Sequence, residues 1–144
     1  MQRLILILFI ASELCYYLLI AQTGVVEYFS SNLFLIAPLP IGGIIGSLLV
    51  SYIKINFKNK ISLFLIIQLI MSFLYPNFNM ITLFILGFAV GSLAPLIINE
   101  IKKTTLLELG LALSVSYVTG TLLFNYEVDA RGIIAISLTT ITLI

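Results

Sequence analysis

Six apolar stretches separated by short polar segments make up the chain: 4–22, 33–53, 61–75, 80–98, 106–124 and 132–144. Runs near twenty apolar residues match a helix that crosses a bilayer core of about 30 Å. The polar segments between them differ in character. Residues 24–32 form a turn with Glu27 and no Lys or Arg, and 54–60 is rich in lysine. Pro76-Asn77-Phe78-Asn79 is a turn, 99–105 carries Lys102 and Lys103, and 125–131 carries Glu127, Asp129 and Arg131. The stretch 38–60 condenses this pattern. Its first half is apolar yet holds Pro38, Pro40, Gly42, Gly43 and Gly46, and its second half holds Lys54, Lys58 and Lys60. It reads as a breakable span followed by an orienting basic loop.

Two stretches are short. For 61–75, Lys58 and Lys60 extend the reach by snorkelling their ammonium groups to the interface. At 1.5 Å per residue, 132–144 covers roughly 20 Å, less than a full crossing. A thinned bilayer, a covering partner or a truncated segment would each account for that.

Composition supports a membrane setting. Of 144 residues, 61% are hydrophobic and 9% charged, where a soluble domain is about a quarter charged. The first apolar stretch follows Met1-Gln2-Arg3 as in a signal peptide, but it runs longer than a signal core of roughly 7–15 residues. It is expected to be retained. With no His and only Cys15, neither a disulfide within the chain nor a Cys/His metal cluster can form. No metal or cofactor is expected, and no basic patch with interleaved aromatics points to nucleic acid.

Alternating crossings put Arg3, Lys54, Lys58, Lys60, Lys102 and Lys103 on one side and Arg131 on the other. Basic loops face the cytoplasm. The expectation is an all-α integral membrane protein, a single six-helix bundle in the cell membrane with a cytoplasmic N-terminus. Tyr28, Phe29, Phe34, Tyr75, Phe78, Phe124 and Tyr126 would form an aromatic belt at the outer ends.

Small residues recur. Gly42-x-x-x-Gly46-Ser47-Leu48 reappears as Gly87-x-x-x-Gly91-Ser92-Leu93. A spacing of four puts both glycines of each pair on one helix face, where a neighbouring backbone can come close. Tight packing is one reading. A sliding or rocking face is the other, with Pro38, Pro40 and Pro95 as hinges, because proline frees a carbonyl and bends a helix. A freed carbonyl in lipid must be covered by protein or water, which places 33–53 and 80–98 inside the bundle.

Glu13 is the sharpest single residue, about ten residues into the first span. Carboxylates at that depth are costly, face bundle interiors and often mark function. No Lys or Arg lies at the same depth elsewhere, and burial without a cation favours the protonated form. Glu13 could exchange protons or hold a cationic substrate; it could equally be a neutral group bonded to a neighbouring helix. Gln68, Ser114, Ser116 and Tyr117 sit at similar depths, with Tyr16 and Tyr17 one turn from Glu13. Together these residues form either a midplane binding layer of the transporter kind or a set of interhelical hydrogen bonds, each worth about 1 kcal/mol or less. Glu108 lies near a helix N-terminus, where negative charge is favourable, and pairing with Lys102 or Lys103 is expected there. No nucleotide-binding glycine loop, Ser/His/Asp set or metal motif is present, so an enzyme contained in this chain is not expected.

Several of these features occur together in a known family. They are Glu13, the run from Gly42 to Ser47 ahead of a basic loop, and Gly87-Phe-Ala-Val-Gly-Ser-Leu-Ala-Pro95. To these are added Ser116-Tyr-Val-Thr-Gly120-Thr-Leu-Leu and, in the outer turn, Arg131-Gly132. On them the chain resembles the membrane region that precedes the catalytic domain in transmembrane spermidine synthase-like proteins. That region is itself similar to a six-helix half of a major facilitator superfamily transporter. The resemblance implies kinship with transporters and handling of polyamines or other small molecules. The functional expectation is a half-size transporter acting as a homodimer, with Glu13, Tyr17, Gln68, Ser116 and Tyr117 at its substrate or proton site. The alternative is a non-transporting anchor or scaffold subunit of a larger membrane complex. A small proton-coupled exporter with a first-span Glu is a third option, but the charge bias argues against its dual-topology form.

Overall fold

The computed structural model describes residues 2–17, 32–75, 77–124 and positions 133, 134, 136, 137, 139 and 140. Residues 18–22 of the first span, Tyr28, Phe29, Tyr126, the acidic turn with Glu127 and Asp129, and Arg131 lie outside the described residues. Among those described, the chain is all-helical with no strand. Helix α1 is Gln2–Tyr16, α2 is Pro38–Leu49, α3 is Phe57–Ser72, α4 is Met80–Ile101 and α5 is Leu106–Phe124, with a single helical turn, Leu33–Ile36, leading into α2.

The helix starts follow from local chemistry. Pro38 opens α2 at its first turn, where a missing N–H costs nothing and the fixed φ fits the helix. Pro40 sits in the same turn. Both prolines lie where the helical turn Leu33–Ile36 passes through Ala37, itself in helical geometry, into α2. Pro95 does lie inside a helix, α4. Asn79 caps α4: its side chain accepts from the Thr82 N–H at 2.8 Å, and the Thr82 hydroxyl accepts from the Asn79 N–H at 2.8 Å. Thr105 and Glu108 make the corresponding reciprocal pair at the start of α5.

The helices alternate in direction. Glu13 meets Gln68 and Tyr16 meets Ser72, so α1 and α3 run parallel. Arg3 meets Glu108, and Ile10 and Ala11 pack on Ala112, so α5 runs with α1. Leu39 lies against Gly87 and Gly43 against Gly91, so α2 and α4 run parallel to each other. Cys15 and Tyr16 pack near Leu83 and Leu86, while Ile7 and Phe9 share a cluster with Ile97, so α4 runs opposite to α1. Each successive helix thus reverses the one before it. As a consequence the basic residues converge at one end. Arg3 bridges to Glu108 at 3.1 Å, Lys103 lies 5.3 Å from the centre of the Phe57 ring, and Lys60 donates to the Val50 carbonyl just past α2 at 3.1 Å.

Some polar side chains join an otherwise apolar core, and many apolar ones face outward. Ser12, Glu13, Gln68, Ser72, Ser92, Ser116 and Thr139 are buried, while Leu4, Ile5, Ile44, Leu48, Ile66, Ile70, Ile81, Leu107, Val118 and Leu122 are exposed. Among the described residues one helix, α4, with 22 residues, is both long and apolar enough to cross a membrane. α2 has 12 residues and reaches about 18 Å, and the described part of α1 stops near Tyr17. The belt expectation changes at one end. Phe78 is buried, with Tyr75 packed edge-on 5.9 Å away, and together they close the core at that end. Phe34 is exposed.

Candidate functional site

α2 and α4 form the tightest pair. A Cβ on Gly42 would run into the Phe84 carbonyl, and one on Gly46 into the Phe88 carbonyl. One on Gly87 would strike the Leu39 carbonyl and one on Gly91 the backbone of Gly43. Both repeated glycine pairs therefore face each other, backbone against backbone. α3 packs on the other side of α4 through Phe64, Leu65, Leu93 and Leu96. α1 packs on α5 through Ile10, Ala11 and Ala112.

A polar layer joins α1 to α3. The Gln68 amide donates to both oxygens of Glu13, at 3.4 and 3.3 Å, and to the Thr139 hydroxyl at 3.3 Å. One turn on, the Tyr16 and Ser72 hydroxyls are 2.7 Å apart, and Ser72 also donates to the Gln68 carbonyl at 2.7 Å. Glu13 is 5% exposed and Gln68 is fully buried. An unpaired buried polar group costs several kcal/mol in apolar surroundings; the network offsets much of that cost, but among the described residues the Gln68 Oε1 has no partner.

On its other side Glu13 borders a cleft of about 700 Å³ between α1 and α2, floored by α4. Leu14 and Tyr17 line it from α1, Gly43 and Ser47 from α2, and Gly91 and Ala94 from α4. Glu13 and Tyr17 are four residues apart, hence on one face of α1.

The expected site residues divide accordingly. Glu13 and Gln68 are brought into contact, and Tyr17, 48% exposed, shares the cleft with Glu13. Ser116 is buried on α5. Tyr117, at 74%, is exposed and does not join the inner layer, because its neighbour Ser116 takes the inward position on the helix. Ser114 turns back to the Gly110 carbonyl. Glu108 is not paired with Lys102 or Lys103. It curls back to the Thr105 N–H and receives Arg3 from the adjacent, parallel α1; Lys103 instead pairs with Glu100 at 2.6 Å. Ser72 and Thr139 are polar-layer members that the sequence reading did not single out. Ser72 lies one turn beyond Gln68 just as Tyr16 lies one turn beyond Glu13, so helical spacing carried that signal. Among the described residues no three His, Cys, Asp or Glu side chains gather to hold a metal.

No protein-family model, curated protein or solved structure matches the chain.

Proposed function

We propose that this chain is a six-helix integral membrane protein, N-terminus inside, that works as a half-size transporter, with two copies forming the substrate path. The observation that carries the reading is Glu13: a carboxyl buried in a helical bundle with an apolar exterior, bonded to Gln68 and bordering a cleft. Ionisable groups inside membrane bundles are expensive and are retained where they handle substrates or protons. The sequence resemblance to one half of a major facilitator transporter would fit the same arrangement.

The packing suggests where motion occurs. The glycine faces of α2 and α4 are in backbone contact and leave no room to slide, so these helices and α3 act as one body. α1 and α5 act as the second, and the cleft opens between α1 and α2. Rocking of the α1–α5 pair would break and remake the Glu13–Gln68 and Tyr16–Ser72 bonds. Protonation of Glu13 weakens its hold on an amide donor and so biases that step.

The test is proton-coupled uptake by the purified protein in liposomes. Glu13→Gln is expected to abolish uptake or its pH dependence while leaving the protein folded. Full proton-coupled uptake in that variant would contradict the role of Glu13.

A further inference from the structure

We infer that the basic half of the cleft between α1 and α2 holds one acyl chain of an anionic phospholipid, with the headgroup at Lys102. The inference rests on the membrane reading of the chain, and it leaves Glu13 bonded to Gln68. The floor of the cleft runs along α4 from Gly87 to Ile101, about 21 Å at 1.5 Å per residue. That shape is a groove. Tyr16 packs beside Leu83 and Leu86, and Ile7 and Phe9 beside Ile97, so Glu13 and Tyr17 border the half toward Gly87. The other half, from Gly91 to Ile101, is about 15 Å long, the depth of one leaflet in a bilayer core of about 30 Å.

The walls of that half fit a hydrocarbon chain. Ile44 and Ser47 of α2 and Ala94, Ile97, Ile98 and Ile101 of α4 line it, and Ile44, Ala94 and Ile98 are exposed. The Ser47 hydroxyl donates to the Ile44 carbonyl at 2.8 Å, so a chain lying against it strips no polar group of its partner. Filling the groove with hydrocarbon brings little selectivity, because lipid tails are as apolar as the helix surface. Preference therefore comes from the headgroup. Val90, Ala94 and Ile98 line the groove at steps of four residues, on one helix face, and Lys102 is the next step. Its backbone keeps helical angles, φ −60° and ψ −19°, so it stands at the groove's end. Lys102 is exposed, and no ion pair among the described residues engages it, whereas Lys103 is held by Glu100 and Arg3 by Glu108. A lysine at the basic end of an apolar groove complements a phosphate ester and its chain. A second copy in the same orientation would bring its own basic end to Lys102, like charge to like charge.

The test uses the full chain in a mild detergent, titrated with phosphatidylglycerol and phosphatidylcholine of the same acyl chains, with bound lipid counted by native mass spectrometry. One phosphatidylglycerol per chain is expected to bind, about fivefold or more tighter than phosphatidylcholine. Lys102→Gln should remove most of that preference. Ala94→Trp, which fills the groove from an exposed position on α4, should remove the site. Val118→Trp, the same ring on the exposed face of α5, should leave it unchanged. Glycerol 3-phosphate, a headgroup without chains, should not compete. Equal affinity for the two lipids, a preference that survives Lys102→Gln, or phosphatidylglycerol binding that Ala94→Trp does not alter would each overturn the inference. So would competition by glycerol 3-phosphate, or a dimer that Ala94→Trp dissociates with the lipid count unchanged, since a second copy would then occupy the groove. The comparison of the two lipids uses the unmutated protein and stands whether or not Ala94→Trp folds. Charge-selective lipid binding without uptake into liposomes would uphold the lipid site and remove the transporter reading. Proton-coupled uptake with charge-blind lipid binding would do the reverse.

Discussion

Glu13 and Gln68 hold the inner layer together, and the layer extends through Thr139, Tyr16 and Ser72. Removing one member should cost little, because interhelical hydrogen bonds in membranes average about 0.6 kcal/mol. Tyr16→Phe and Ser72→Ala should each lower stability by about 0.5–1.5 kcal/mol, read as the thermal midpoint in detergent. The double variant should lose little more than Ser72→Ala alone, since that change already deletes the Tyr16–Ser72 bond together with the bond from Ser72 to the Gln68 carbonyl. Full additivity would mean that the hydroxyls act separately. At this scale the sequence was partly legible. A lone carboxyl in an apolar run announces itself, and so does Gln68 at matching depth. Which way Tyr117 faces was not legible. In a helix apolar on all sides no polar stripe distinguishes inside from outside, so Ser116 and Tyr117 looked equally good.

At the level of elements, the repeated glycines decide how α2 and α4 meet. Gly87→Ala should destabilise the protein by about 1–3 kcal/mol, because the new methyl group meets a carbonyl that cannot move alone. Gly110→Ala, where nothing lies within 4 Å, should be neutral or stabilising by up to about 1 kcal/mol from helix propensity. The two variants compared by thermal unfolding separate packing from propensity; similar losses at both positions would contradict the backbone contact. The glycine spacing made this interface legible in advance, since a repeat of small residues four apart has few uses other than close approach. A continuous apolar run does not reveal that α2 starts at Pro38. The partner of Glu108 was hidden for a related reason: Arg3 reaches it from another helix, and nearness in sequence favoured the lysines.

For the whole molecule, the central claim is a bundle that crosses the membrane repeatedly, with its basic end inside and its acidic turn outside. Apolar exposure on every helix, burial of polar side chains and alternation of helix direction all fit that claim. Cys15, the chain's one cysteine, is buried, so an impermeant maleimide should leave the unaltered protein unlabelled in intact cells and provide the baseline. The deciding measurement is labelling of single cysteines introduced by Asn59→Cys, in the basic loop, and Asp129→Cys, in the acidic turn. The account predicts that the cysteine at 129 reacts in intact cells and the one at 59 only after permeabilisation. Reaction at 59 in intact cells, or equal reaction at both positions, would contradict it.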